Sequence, residues 1–288
     1  MKGILSTTLI SFALLLPTLT QACTVVDDTG TPFHLDKPAE RVISLAPHIT
    51  ETLFAIGAGK QVVGVMEGSN YPAAARGIKK VGNYRDLDLE TILNLHPDLI
   101  VTWSHYFSNQ LAALKRLGIP IYTTEPRRLE DIPKTMRQLG CLTGTDKTAQ
   151  AAADQFSQRL AALQQHYQTQ KPVTVFYQIG PYSLITLNKD SWVDQVITLC
   201  GGRNLFADAP TIAPQVSWEA VIAANPQAVI NSSNSDQWKT AWNHWSQVSA
   251  VKKRFLFTID PDLLERAGPR LVEGAAQVCQ YLQTSRIE

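Results

Sequence analysis

Two pairs of closely spaced carboxylates are candidates for a catalytic role in this sequence. Asp86 and Asp88 form one pair, and Asp260 and Asp262 form the other. Paired carboxylates can serve as a general acid and a general base. Asp260, however, directly precedes Pro261, an order typical of a helix start, where a carboxylate accepts backbone N–H bonds. The pairs therefore do not by themselves indicate an enzyme.

Other patterns that would indicate catalysis are missing from the sequence. It contains no G-x-S-x-G motif, which marks a common type of hydrolase nucleophile. Gly57-Ala58-Gly59 resembles the start of a dinucleotide-binding motif, but Val62 takes the third glycine position and the run follows a helix. The histidines form no H-x-x-x-H pair, and we interpret His48, His96 and His105 as helix-end or loop residues rather than zinc ligands.

One short phrase occurs twice in the chain. Residues 89–101 (LETILNLHPDLIV) recur as residues 218–230 (WEAVIAANPQAVI), and in each copy a glutamate, Glu90 or Glu219, stands seven positions before a proline. Each copy predicts a short helix that ends near the residue before proline and leads into a buried parallel strand. A phrase repeated across most of the chain indicates two similar α/β lobes with a ligand-sized cleft between them.

The composition is that of a globular protein, and the N-terminal segment predicts export. The chain has 288 residues, of which 44% are hydrophobic and 18% are charged, which suffices for two hydrophobic cores. The net charge of +1 gives no long-range attraction to nucleic acid or to an anionic membrane surface. Lys2, the largely apolar run 4–19 and the small residues that end it predict a cleaved signal peptide over residues 1–22.

Export makes the four cysteines informative, because disulfides persist in oxidising compartments. Cys200 ends one predicted helix and Cys279 lies on the apolar face of the last helix. These two inward-facing residues are predicted to form a disulfide, and the alternative is a pair of reduced core cysteines. Cys23 is either a lipidated N-terminus, although Thr20 stands where a lipobox has leucine, or the partner of Cys141. We favour the disulfide.

Strands and helices alternate in lengths typical of parallel sheets that are covered on both faces. Residues 24–35 alternate apolar and polar side chains around a turn sequence, which predicts a hairpin. Residues 145–168 contain no glycine or proline, and their three- and four-residue apolar spacing predicts one long helix, which suggests lobes that hinge little. The predicted division is a signal peptide over 1–22, an N-terminal α/β lobe over 23–144, a linking helix over 145–170 and a C-terminal α/β lobe over 171–288.

Several segments resemble a known family, the periplasmic substrate-binding proteins of ABC importers whose two lobes are joined by one long helix. The N-terminal lobe matches in residues 41–47 (RVISLAP) with Thr50-Glu51, in the turn 70–72 (NYP), and in the first copy of the repeated phrase. Members of this family carry vitamin B12, iron siderophores or haem. The resemblance implies a class III periplasmic binding protein fold, that is, an α/β protein with two Rossmann-like lobes and parallel sheets.

Within that family the chain is most similar to the members that bind vitamin B12 (cobalamin). The finer match rests on Trp103, directly after a strand, and on segments of the C-terminal lobe, namely 199–206 (LCGGRNLF), 214–217 (PQVS), 265–267 (ERA), 269–270 (PR) and Cys279. It implies a periplasmic protein, monomeric when free, that delivers cobalamin to the membrane subunits of an ABC importer. Cobalamin is then cargo rather than a cofactor, and neither metal, nucleic acid nor catalysis is expected.

The resemblance also assigns docking residues. Glu90 and Glu219 become carboxylates, one on each lobe, that meet arginines of the importer. Two exposed charges far apart on one face fix the orientation of a partner as well as its contact. The alternative for each glutamate is compensation of the dipole of the helix that it begins, but both copies of the repeat keep it, which favours docking.

In the cleft, the resemblance places Tyr84, Trp103, Asp262 and Arg266. The two aromatic rings offer broad surfaces to a corrin ring, and the two charged groups can bond to its rim of amides. Trp103 follows the carboxyl end of a strand, where α/β sheets bind ligands. Where the B12 binders carry further pocket aromatics, this chain has Gly68, Ile179 and Ala213. The aromatic residues that are candidates to replace them are Tyr71, Tyr106, Phe107 and Tyr182.

Two other functions stay open at the level of sequence. A haem or ferric-siderophore binding protein of the same family would use His105 or Tyr106, beside Trp103, as an iron ligand. An exported hydrolase or metalloenzyme on a similar two-lobed scaffold would need a nucleophile or a cluster of metal ligands, and the sequence motifs supply neither.

Overall fold

The computed structural model describes residues 22–103 and 107–287. The predicted signal peptide lies outside the described residues except for its last residue, and His105 and Tyr106 also lie outside them. Two parallel sheets organise the described chain, and one long helix connects the lobes that contain them. Within the described residues, no helix is both long enough and apolar enough to cross a membrane.

The N-terminal lobe combines a short hairpin with a parallel sheet. Its elements are β1 (Cys23–Val26), β2 (Pro32–Leu35), β3 (Val42–Ser44), α1 (Pro47–Ala55), β4 (Val62–Val65), β5 (Lys79–Lys80), α2 (Leu89–Asn94), β6 (Leu99–Trp103), α3 (Ser108–Arg116), β7 (Ile121–Thr124) and α4 (Asp131–Thr143). β1 and β2 pair antiparallel, which confirms the hairpin predicted over residues 24–35. The sheet has the order β5-β4-β3-β6-β7, and every neighbouring pair in it is parallel.

A single helix, α5 (Asp146–Tyr167), joins the lobes and confirms the long helix predicted over residues 145–168. Its 22 residues span about 33 Å. α5 packs closely on α4, because Gly140 of α4 faces Ala149 of α5 and a β-carbon at residue 140 would overlap the Ala149 Cβ. Gly144 turns the chain between the two helices with φ +66°, a conformation that favours glycine. The linking helix is thereby fixed to the N-terminal lobe.

The C-terminal lobe repeats the parallel arrangement. Its elements are β8 (Val173–Ile179), α6 (Trp192–Leu199), β9 (Gly202–Asn204), α7 (Trp218–Ala224), β10 (Ala228–Ser232), α8 (Lys239–Trp242), α9 (Ser249–Lys252), β11 (Leu256–Ile259), α10 (Pro261–Leu264) and α11 (Leu271–Ile287). The strand order is β11-β10-β8-β9, again with parallel pairs. The two copies of the repeated phrase form α2 with β6 and α7 with β10, as the sequence predicts.

Each lobe contains one disulfide within the described residues. Cys200 at the end of α6 is bonded to Cys279 of α11, which confirms the predicted pair. Cys23 at the start of β1 is bonded to Cys141 of α4, which is the disulfide that we favour over a lipidated Cys23. This second bridge attaches the β1–β2 hairpin to α4, the helix on which α5 packs.

An aromatic cluster fills the outer side of the C-terminal sheet. Trp218 of α7 lies edge-on to Trp242 of α8, with ring centroids 5.1 Å apart, and stacks on Trp245 at 5.7 Å. The indole Nε1 of Trp242 donates to the Gln178 side-chain oxygen in β8 at 3.0 Å. Aromatic packing with a satisfied N–H therefore holds α7 and α8 against the sheet.

His48 is a buried histidine at the place where the lobes meet. It lies in the first turn of α1, as expected for a helix-end residue, and its ring is edge-on to the Trp103 ring, with centroids 5.3 Å apart. A β-carbon at Gly268 of the other lobe would lie 3.4 Å from the His48 Cβ. Burial, together with the positive charge of Arg266, lowers the pKa of His48 from 6.5 to about 4. The imidazole is therefore neutral at pH 7.

The close contact between α4 and α5 yields a first prediction. Gly140→Ala should destabilise the protein by about 1–3 kcal/mol, because the added methyl must displace Ala149 or push α5 away. Helix propensity alone would give the opposite sign, since alanine is the better helix former by about 1 kcal/mol. Urea unfolding measures the change, and Gly77→Ala is the control because nothing lies within 4 Å of its β-carbon. Equal stability of G140A and wild type would contradict the close packing.

His48 makes the stability of the protein sensitive to acid. Because the folded-state pKa of about 4 lies below the unfolded value of about 6.5, the unfolded chain binds more protons between these pH values. Stability is therefore lost as the pH falls through this window, by on the order of 2–3 kcal/mol from this residue. Unfolding free energies at pH 7 and 4.5 should differ less in His48→Gln than in wild type. His244→Gln, at an exposed histidine, should keep the wild-type difference, and an equal pH dependence in H48Q would disprove the assignment.

Candidate ligand-binding cleft and docking residues

A cavity of about 240 Å³ lies at the carboxyl ends of three neighbouring strands, β4, β3 and β6. Ligands of parallel α/β sheets bind at this edge. The residues that line the cavity are mostly apolar or aromatic, namely Leu45, Ala46, Pro47, Met66, Glu67, Tyr84, Trp103 and Phe107. Trp103, the last residue of β6, is half-buried rather than enclosed in the core. It lines the cavity together with Tyr84, so the structure brings together two residues that the family resemblance places in the cleft.

Local sequence explains how the cavity walls are positioned. Pro47 occupies the first position of α1, where its missing N–H costs nothing, and it follows an extended Ala46. Gly68, with φ +82°, turns the chain after β4. Tyr84 is 74% exposed at the cavity, and the Arg85 guanidinium lies 5.2 Å from its ring centre. A large aromatic side chain that is left in solvent beside an apolar cavity is typical of a binding surface.

Arg266 and Asp262 reach from the C-terminal lobe to the N-terminal lobe. Arg266 Nη1 donates to Glu51 Oε1 at 2.7 Å and to Asn70 Oδ1 at 2.9 Å. Its Nη2 donates to the Gly68 carbonyl at 3.2 Å and lies 2.6 Å from Asp262 Oδ1. The second carboxylate oxygen of Asp262 accepts from Asn70 Nδ2 at 2.9 Å. These two predicted ligand contacts are therefore engaged in a bridge between the lobes.

Glu51 of α1 is the centre of this bridge. Its side chain is 2% exposed, and both of its oxygens accept bonds from arginines of the other lobe. Arg270 donates from Nε to Oε2 at 2.9 Å and from Nη2 to Oε1 at 2.7 Å, and its guanidinium lies 4.0 Å from the centre of the Tyr71 ring. The hydrogen bonds to Glu51 raise the pKa of Arg270. We call Glu51, Arg266 and Arg270 the inter-lobe latch.

A half-buried glutamate anchors the segment that carries the two arginines. Glu265 Oε1 accepts from the Ser232 hydroxyl at 2.5 Å and from the Tyr177 hydroxyl at 3.3 Å. Ser232 and Tyr177 lie near the carboxyl ends of β10 and β8, so the segment after α10 is held on the C-terminal sheet. Burial, with a smaller contribution from the Asp262 carboxylate, raises the pKa of Glu265.

The remaining predicted pocket positions do not line the cavity around Trp103. Ile179 is half-buried at the end of β8, and Ala213 is exposed in the connection between β9 and α7. Among the aromatic candidates, Phe107 lines the cavity, whereas Tyr71 packs against Arg270 and Tyr182 is 86% exposed. The cavity as described thus belongs to the N-terminal lobe.

Sequence analysis assigned no role to Glu51 or Asn70, although both belong to segments that carry the family resemblance. One signal was available for Glu51, because it stands inside the helix sequence PHITETLFA, whose other residues are mostly apolar. A charged side chain in an otherwise buried part of a helix needs an oppositely charged or hydrogen-bonding partner. The sequence did not indicate which residues would supply it.

One member of each acidic pair caps a helix. Asp260 caps α10 by accepting the backbone N–H of Asp262 at 2.9 Å, as predicted, and Asp88 caps α2 by accepting the N–H of Thr91 at 2.9 Å. Within residues 22–103 and 107–287, no group of three or more histidine, cysteine, aspartate or glutamate side chains is arranged to hold a metal ion.

Glu90 and Glu219 occupy equivalent positions in the two lobes. Each is exposed in the first turn of its helix, and each helix begins at a capping side chain, Asp88 or Ser217. Bonds from its own backbone N–H and from the Ser217 hydroxyl lower the pKa of Glu219. That carboxylate is therefore negatively charged at neutral pH and directed to solvent, as docking to a cationic partner requires.

Comparison with known proteins agrees with this architecture. The periplasmic binding protein family matches the chain over residues 42–263. A vitamin B12-binding protein from Vibrio cholerae is 36% identical over 267 residues, which cover 92% of this chain and 97% of that protein.

Solved structures give the same picture. The crystal structure of the periplasmic vitamin B12 binding protein of Vibrio cholerae superposes with a TM-score of 0.79 at 37% identity and covers 87% of this chain and 99% of that chain. A periplasmic heme-binding protein from Roseiflexus superposes with a TM-score of 0.75 at 25% identity, covering 86% and 99% of the two chains. The two α/β lobes with parallel sheets are therefore those of the class III fold expected from the sequence. With its family match and its 36% identity to a relative of nearly equal extent, the chain belongs to the periplasmic binding protein family.

Proposed function

We propose that this protein captures vitamin B12 (cobalamin) between its lobes in the periplasm and delivers it to an ABC importer in the inner membrane. The observation that carries the proposal is the aromatic cavity around Trp103, at the ligand-binding edge of a parallel sheet, in a chain with relatives that are named vitamin B12-binding proteins. In this proposal cobalamin is cargo, the protein is monomeric when free, and no reaction is catalysed.

The cavity chemistry suits one part of a corrin. A corrin is a large, nearly planar ring system with an apolar face and a rim of amides. Trp103 and Tyr84 offer rigid aromatic surfaces, and Met66 can adapt to an irregular outline. The volume of about 240 Å³ is below the 300–1,000 Å³ typical of pockets for drug-sized ligands. We therefore assign the cavity to one edge of the ring and the open space between the lobes to the rest.

The polar rim of the ligand would meet the margin of the latch. Asp262 can accept from amide N–H groups, and no contact within the described residues uses the Nε–H of Arg266, which is the donor that we assign to a ligand carbonyl. Gly68, Ile179 and Ala213 stand where the B12 binders carry aromatic rings. Their smaller side chains would leave a wider cleft at these positions.

Docking through Glu90 and Glu219 completes the proposed cycle. Each lobe contributes one exposed carboxylate at the start of a capped helix, so the pair can bind arginines of two membrane subunits at once. Binding at two separated points fixes the orientation of the cleft relative to the transporter, which a single ion pair would not do.

A calorimetric titration tests the ligand. Wild-type protein should bind cyanocobalamin, while haemin and a ferrichrome-type siderophore give no binding heat. Trp103→Ala and Tyr84→Ala should each raise the Kd about tenfold or more, because loss of an aromatic surface removes about 1–3 kcal/mol of contact. Leu117→Ala, at an exposed leucine that does not line the cavity, should bind as wild type does. Absence of heat with cyanocobalamin would reject the proposal, and heat with haemin or the siderophore alone would replace the ligand.

A charge reversal tests docking. The double variant Glu90→Lys/Glu219→Lys should abolish complex formation with the reconstituted importer and cobalamin uptake into vesicles, because attraction to arginine becomes repulsion. The Kd for cyanocobalamin should stay unchanged, since both residues lie outside the cavity lining. Glu40→Lys, the same substitution at one other exposed glutamate, should dock normally. Complex formation by the double variant at the wild-type level would count against this role.

A further inference from the structure

We propose that Glu51 is a positioning residue for ligand binding, which sets the spacing of the lobes and orients Arg266 without touching the ligand. The inference rests on the proposed function, because it concerns how the same cleft is prepared for its ligand. It assigns a role to a buried residue of α1 that does not line the cavity around Trp103.

Because the Glu51 carboxylate is buried, it is stable only while its arginine donors are in place. A charged group that leaves water is stable only if hydrogen bonds from oppositely charged groups replace its hydration. Glu51, with 2% of its side chain exposed, obtains three such bonds, and all three come from Arg266 and Arg270 of the other lobe. Separation of the lobes would leave the carboxylate without these donors, so the latch favours one spacing.

The geometry of the latch also fixes the orientation of the two guanidinium groups. Arg270 binds Glu51 through Nε and Nη2 together, which is the planar two-bond arrangement that restricts rotation. Tyr71 covers the other side of that guanidinium at 4.0 Å. Arg266 then shares Glu51 Oε1, and its Nη2 is directed to the Gly68 carbonyl. The position of one carboxylate thereby determines where the Arg266 guanidinium stands at the margin of the cleft.

Within the described residues, the ion pairs that join the two lobes belong to the latch. A second contact is formed by Gln195 of α6, which accepts from the Leu129 N–H at 3.0 Å and donates to the Arg127 carbonyl at 3.2 Å. That contact uses a neutral amide, whereas the latch uses charge-assisted bonds to a buried group, which are roughly twice as strong. Loss of the latch should therefore widen the range of lobe spacings although α5 and Gln195 remain.

The test compares Glu51→Gln with Glu40→Gln, the same change at an exposed glutamate of the same lobe. Nitroxide labels on Leu117→Cys and His244→Cys, one exposed site in each lobe, report the distance between the lobes by pulsed electron spin resonance. E51Q should broaden the distance distribution and raise the Kd for cyanocobalamin about tenfold or more, with an unchanged far-UV circular dichroism spectrum. E40Q should match wild type in both measurements.

Two further variants keep the test decisive. Arg270→Gln leaves Glu51 paired with Arg266, so it should fold and show the same two changes to a smaller extent. Glu51→Asp keeps the charge and should recover part of the affinity that E51Q loses. If E51Q and R270Q lower thermal stability but retain wild-type distances and Kd, the role is structural only and the inference is overturned. If wild type does not bind cyanocobalamin, the proposed function fails, and unchanged distances in E51Q then overturn the inference separately.

Discussion

The charge on Glu51 connects the two halves of the molecule, because a carboxylate that is withdrawn from water needs donors and here the donors belong to the other lobe. Each lobe has its own parallel sheet and its own disulfide, and buried apolar residues of both lobes belong to one continuous cluster. Their relative position is a separate matter. Within the described residues it is held by the linking helix, by a core of apolar residues that both lobes share, by amide contacts such as that of Gln195, and by the latch, which supplies the ion pairs between the lobes.

The ligand-binding edge and the latch are adjacent through the segment after β4. Met66 and Glu67 line the cavity, and the next residue, Gly68, gives its carbonyl to Arg266. A change in the spacing of the lobes must therefore displace the arginine relative to the aromatic wall. This arrangement explains how a fold shared by binders of chemically different ligands can be adapted at its loops, while the parallel strands that support them stay the same.

Local features of this structure were predictable from sequence, and contacts across the lobes were not. The spacing of apolar residues predicted α5 to within a residue at each end, since helix periodicity is a property of the segment itself. Cys200 and Cys279 were predictable as partners because both face one core. The bond between Arg266 and Glu51 joins residues 215 positions apart, and no local pattern specifies such a pair.

Candidate site residues show the same limit. Tyr84 and Trp103, which the family resemblance places together, line one cavity, and for Trp103 its position at the end of a parallel strand already indicated that edge. Arg266 was expected to serve the ligand alone, and only the second lobe's position reveals its engagement with Glu51. Of the four aromatic candidates, Phe107 lines the cavity, and the sequence could not single it out because loop conformation decides which ring reaches the cavity.

The distribution of tryptophan has a spectroscopic consequence. Of the six indoles, Trp103 alone precedes the linking helix, and the other five, including the stacked Trp218 and Trp245, follow it. Intrinsic fluorescence is therefore weighted towards one half of the molecule, whereas ellipticity at 222 nm samples helices in both. During denaturation the two signals coincide only if the halves melt as a single cooperative unit, so their divergence would reveal stepwise melting.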